Sequence, residues 1–177
     1  MASYYYFATT LPLLRLDRPM PLSLELFLTQ AKEHLNTRDW ETLHRIVHAK
    51  SHSHALAKNY QSFVTALNRS LAKVRLKNLG FALNETLQAE VQANEFERLA
   101  SELVGLTNPL EAELKMLTLQ WKKIEELVGL KVFEFEALVG YALKLLILQR
   151  VTTFTQEVGQ ATFETLLGTL RSEIDQM

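Results

Sequence analysis

The sequence predicts an all-α fold, and three observations carry that expectation. Apolar residues recur at spacings of three and four almost everywhere after residue 22. The 177 residues hold only six Gly and four Pro, and three of the prolines, Pro12, Pro19 and Pro21, fall in the first 21 positions. No stretch alternates with period two for long enough to build a sheet. The expected architecture is a single multi-helix bundle of about six to seven helices spanning residues 1–177. Within it, 1–22 is an extended or irregular N-terminal segment, 23–80 a basic helical half and 81–177 an acidic one.

The three prolines fix φ and remove backbone donors, hence the irregular start. Ser23 can then cap a helix whose apolar positions are Leu24, Phe27, Leu28, Ala31 and Leu35. A short second helix follows Thr37, with Trp40, Leu43 and Val47 on one side. A long basic helix turns Leu56, Tyr60, Phe63, Val64, Leu67, Leu71 and Val74 inward and stops near Gly80. The fourth runs from about Leu83 to Leu106 and buries Leu87, Val91, Leu99 and Leu103. "TNPLE" is a strong start signal: Asn108 caps, Pro109 takes the first helical position, and Glu111 sits near the positive end of the dipole. Leu110, Leu114, Leu117, Trp121, Ile124 and Val128 then repeat in steps of four and three up to Gly129. Two further helices are expected, from Phe133 to about Thr153 and from about Gln160 to Ile174. The last presents Phe163, Leu166, Leu167, Leu170 and Ile174.

"FEFEALVGYALKLLILQR", residues 133–150, is the most apolar run in the chain, and it raises the question of a membrane span. Its apolar part, Phe135–Leu148, is only 14 residues long, against the roughly 20 a spanning helix needs. Lys144 stands inside it, and a lysine at a helix centre costs about 2.5–3.5 kcal/mol on insertion scales. The run therefore reads as the central helix of a bundle, contacted on several sides. Lys144 then either snorkels to water, pairs with a carboxylate such as one from Glu111–Glu113, or meets a partner.

Composition narrows the remaining possibilities. Hydrophobic residues make up 47% and charged residues 22%, ordinary for a soluble domain. At this length roughly two-thirds of the unfolded chain's surface can be buried. The absence of Cys excludes disulfides and thiolate sites. No basic n-region precedes the apolar start, so a cytoplasmic protein is expected. Net charge is −1, but residues 1–80 carry eleven Lys/Arg against five Asp/Glu, and the rest eight against fifteen. Such halves either neutralise each other within the fold or steer the molecule onto a complementary face. Arg69, Lys73, Arg75 and Lys77 suit the negative end of their helix dipole as well as they suit a nucleic acid.

Catalytic constellations are sparse. His44, His48 and His52 are spaced by four, with His54 close behind, which is metal-ligand spacing on a continuous helix. No HExxH accompanies them, and "KSHSH" reads as a helix end that would scatter the rings, so a solvated polar face is expected, with no metal or cofactor. Gly-rich phosphate loops and a GxSxG elbow are lacking.

The order and spacing of "YYYFATTLPLLRLD", "PLSLELFL", "NPLEAEL", Trp121 and "FEFEALVGYALKLLILQR" carry a resemblance. The chain resembles a bacterial family typically encoded among the subunits of V/A-type ATP synthases. That family is distantly similar to the synthase's all-helical funnel component, which seats the central shaft on the membrane rotor ring. The resemblance covers both ends and most of the C-terminal half, while residues 36–105 contribute little. It implies a non-catalytic component of the synthase, in a central-stalk or accessory role that couples the shaft to the rotor ring. The implied partners are synthase subunits, with peripheral attachment to the membrane through the complex and a chain monomeric on its own. The matched positions Tyr4, Tyr5, Tyr6, Lys144 and Arg150 are the candidate partner-binding residues. The alternatives are an assembly factor for the same complex and a metal-dependent enzyme built on His44, His48 and His52.

Overall fold

The structure, a computed structural model, describes residues 4–48, 54–81 and 94–154, together with Thr165. Among these residues it contains seven helices and no strand. They are α1 (Tyr5–Thr10), α2 (Leu24–His34), α3 (Thr37–Val47), α4 (Ala55–Asn78), α5 (Asn94–Val104), α6 (Pro109–Val128) and α7 (Phe135–Thr152). The all-α expectation holds. The first half of the expected fourth helix, with Leu87 and Val91, lies outside the described residues, as do His52 and all of the expected last helix except Thr165.

Helix limits follow local chemistry. Ser23 caps α2 by accepting from the Leu26 N–H at 3.2 Å. Asn36 caps α3, whose first residue is Thr37, by accepting from the Asp39 N–H at 2.9 Å. Asn108 caps α6 with Pro109 in the first position, and Gly129 ends it at φ 54°, a left-handed conformation that side chains disfavour. One expectation needs correction. The N-terminal segment is not irregular throughout, because Tyr5–Thr10 forms a short helix. No proline precedes position 12, so nothing blocks the turn, and the Thr9 and Thr10 hydroxyls donate back to the Tyr6 and Phe7 carbonyls. Leu11, before Pro12, is extended, as its position requires.

α7 is the central helix. Leu138, Val139, Ala142, Leu145, Ile147 and Leu148 are all buried, and α2, α3, α4 and α6 pack around it. No helix among the described residues is long and apolar enough to cross a membrane. Close approach of α6 and α7 depends on Gly140, where a Cβ would run into the Val128 side chain. Two apolar clusters result. The larger joins the N-terminal segment, α2, α3, the start of α4, α6 and α7. A smaller one, Leu67, Leu71, Ala100 and Leu103, seals α4 against α5. α6 serves both, with Leu117, Trp121 and Ile124 in the first, and Met116 and Leu119 against the second.

Candidate interaction surface

Of the N-terminal aromatics, Tyr4 faces inward and its neighbours face out. Tyr4 is 7% exposed, Tyr5 49% and Tyr6 84%. The Tyr4 N–H donates to the Phe133 carbonyl at 2.8 Å, and its hydroxyl donates to Asp39 Oδ2 at 2.5 Å. Asn36 Nδ2 donates to the same hydroxyl at 2.8 Å and to Asp39 Oδ2 at 2.9 Å. Burial, reinforced by the Asp39 carboxylate, pushes the Tyr4 phenol up to about 12. Beneath the same helix, Phe7 stacks on Phe27 and on the His34 ring.

Anchored in this way, α1 lays Tyr5 against Phe133, with ring centroids 4.6 Å apart, and Tyr6 against Tyr5 at 5.6 Å. Phe133 belongs to the turn between α6 and α7, and its neighbours Leu130 and Val132 are 97% and 49% exposed. The outcome is one apolar corner assembled from two distant parts of the chain. A cleft of about 280 Å³ lies beside it, lined by Val132, Ala137, Tyr141 and Lys144 among others. The Tyr141 hydroxyl donates to the Pro12 carbonyl at 2.9 Å, tying the N-terminal segment to α7 a second time. Burial raises the Tyr141 phenol to about 12 as well.

Lys144, which also lines that cleft, and Arg150 lie in the contact between α6 and α7. Lys144 Nζ is 2.9 Å from Glu125 Oε1 and 4.6 Å from the centre of the Trp121 ring. Trp121 Nε1 donates to the same carboxylate oxygen at 2.9 Å. Lys144 thus pairs with Glu125, not with Glu111 or Glu113. The hydrogen bond from Lys144 holds the Glu125 carboxyl below the usual glutamate range. Its side chain remains 20% exposed, so a cation–π seat and a half-exposed carboxylate replace simple snorkelling. Arg150 Nη2 approaches Glu113 Oε1 to 2.5 Å as an ion pair outside hydrogen-bond alignment.

Of the described histidines, two meet and a third stands against an aromatic ring. The His44 and His48 rings meet at a tilt with centroids 4.3 Å apart, and His54 sits edge-on to Phe135. No group of three or more metal-ligating side chains occurs among the described residues.

Sequence reasoning placed Phe133 inside a helix and missed the turn. The helix begins at Phe135, and "LKVF" after the left-handed Gly129 carries Leu130, Val132 and Phe133 to the surface. The signal lies in Gly129, a helix stop, and in Leu130, which falls opposite the apolar line of α6 at 100° per residue.

Fold and surface together define an all-α protein with an aromatic corner held on a packed core. Residues 92–174 match the model of a family described as Protein of unknown function (DUF2764), a similarity that takes in α5, α6 and α7 and stops short of the N-terminal aromatics. No curated protein and no solved structure matches the chain.

Proposed function

We propose that this protein is a non-catalytic component of a V/A-type ATP synthase, in a central-stalk or accessory role, and that it binds through the corner formed by Tyr5, Tyr6, Leu130, Val132 and Phe133. The observation that carries the binding role is the joining of two distant segments into one exposed aromatic face. Exposed aromatic rings on a fixed backbone suit recognition, because Tyr offers large contact area and is enriched in interfaces. The backbone beneath them is held by the Tyr4–Phe133, Tyr4–Asp39 and Tyr141–Pro12 hydrogen bonds. Little ordering entropy then opposes association. The choice of complex rests on the sequence resemblance, whose N-terminal motif supplies Tyr5 and Tyr6. A part that transmits torque or holds geometry needs such rigidity more than it needs chemistry.

The test is affinity capture of the tagged full chain from native membranes, with and without detergent. Co-purification of synthase shaft or rotor proteins at constant stoichiometry supports the proposal. Substoichiometric capture confined to incompletely assembled complexes would make the protein an assembly factor. Capture of no part of the synthase would refute the reading.

A further inference from the structure

α2 and α3 border an open cavity of about 460 Å³, lined by Lys32, Trp40, Glu41, His44 and Arg45. Part of this lining follows from helical spacing. Trp40, His44 and His48 are four residues apart and so form one strip along α3. Their rings meet in sequence, with centroids 5.4 Å apart from Trp40 to His44 and 4.3 Å apart from His44 to His48. Trp40 and His44 are half-buried, which holds them in place, and both still line the cavity.

Charge is added from both helices. Glu41 and Arg45 are also four apart, a spacing that ordinarily gives an ion pair. Arg45 Nε donates instead to the Glu41 main-chain carbonyl at 3.2 Å, so the guanidinium is braced by its own helix. Lys32 comes from the last turn of α2. Among the described residues neither Lys32 nor Arg45 has a carboxylate within ion-pair distance. Two cations on different helices therefore line one cavity beside an aromatic wall, without being neutralised there.

This lining selects a ligand chemistry. Guanidinium and ammonium groups bind phosphate oxygens through charge-assisted hydrogen bonds. An indole offers a flat apolar face on which a planar base stacks. The Glu41 carboxylate accepts from N–H and O–H groups and repels a second anion, so the ligand carries its charge at one end and donors at the other. The volume is that of a small-molecule site, for which about 300–1,000 Å³ is usual. We propose that the cavity between α2 and α3 binds a mononucleotide. Its phosphate lies on Lys32 and Arg45, its base lies against Trp40 and His44, and Glu41 accepts from its base or sugar donors. The inference is independent of which complex the protein joins.

The test is equilibrium dialysis of the full chain against AMP and UMP, with adenosine and inorganic phosphate as the separate halves of AMP. One saturable site is expected for at least one of the nucleotides, with affinity about tenfold or more above that for either half. Lys32→Gln combined with Arg45→Gln should lower that affinity about tenfold or more, because both charge-assisted contacts are lost. Both side chains are exposed, so circular dichroism of this variant should match the wild type. Trp40→Leu should weaken nucleotide binding and leave phosphate binding unchanged. Trp40 also packs on the larger apolar cluster, so the double variant decides the matter if Trp40→Leu fails to fold. Saturable binding of neither nucleotide would overturn the proposal. Equal affinity for AMP and for phosphate or adenosine alone would overturn it as well, as would undiminished nucleotide binding by the folded double variant.

Discussion

The two apolar clusters of the molecule are built differently. Around α7, cover comes from the N-terminal segment, α2, α3, α4 and α6 at once, and large side chains such as Phe27, Leu117, Ile124, Leu138 and Leu145 are almost fully buried. Between α4 and α5 the buried part is a narrow seam of Leu67, Leu71, Ala100 and Leu103, bordered by charge. Lys73 bonds Glu97 at 2.6 Å, and Lys115 reaches Glu102 at 3.3 Å. Hydrophobic stabilisation scales with the apolar area removed from water, and partly exposed ion pairs add little to it. The α7 region should therefore open only with global unfolding, and the α4–α5 seam should open on its own at lower cost. Tyr5, Tyr6 and Phe133 belong to the first region, which is why the proposed contact surface inherits its rigidity.

The largest effect expected is for Phe27→Ala. Phe27 is fully buried between Phe7 and Tyr141, and its loss should cost about 3–5 kcal/mol. Denaturant melts should show one cooperative transition moved to lower concentration. Leu103→Ala, in the seam, should cost less, about 2–3 kcal/mol. Hydrogen exchange should then quicken in α5 while α7 keeps its protection. Loss of α7 protection in that variant would erase the distinction between the regions.

Tyr4→Phe removes a buried donor to a carboxylate and should cost about 1–2 kcal/mol. The wild-type phenol has its pKa raised to about 12 in the folded state, against about 10 unfolded. The folded protein therefore holds that proton more tightly. Its contribution is complete below about pH 10 and declines as pH rises towards 12. Melts across this range should fall less steeply for Tyr4→Phe than for the wild type.

The smallest effect belongs to Lys144→Met. Glu125 is 53% exposed and keeps its bond from Trp121, so no charge is stranded and the change should stay within about 1 kcal/mol. Lysine hydrogen bonds hold both Glu125 and Glu97 below the ordinary glutamate range. Each contribution is present above the unfolded glutamate pKa and is lost as pH falls through the lower folded value. Acidification should loosen the α4–α5 seam first, visible as faster exchange in α5 before α7 changes.

Helix limits were legible in the sequence wherever a local signal sets them. Ser23 and Asn108 act through a side-chain oxygen that accepts a nearby backbone N–H, Pro109 and Gly129 through their own backbone, and each does what its residue type implies. The status of α7 was legible as well, because a helix apolar on every side must be surrounded. What sequence could not supply was pairing between distant segments. Tyr4, Tyr5 and Tyr6 are identical in type, and only the Tyr4 bonds to Phe133 and Asp39 decide which ring turns inward. Lys144 shows the same limit. Several carboxylates on α6 were available to it, and the helix crossing, set by Gly140 against Val128, selected Glu125 over Glu111 or Glu113.

The proposed binding surface is the aromatic corner on the rigid region. It is tested most directly by affinity capture from native membranes with Tyr6→Ser and Leu130→Ser combined in the full chain. Both side chains are more than four-fifths exposed, so the melting transition should stay where it is in the wild type. Synthase proteins that the wild type captures should be lost from this variant. Undiminished capture at an unchanged melting transition would contradict it.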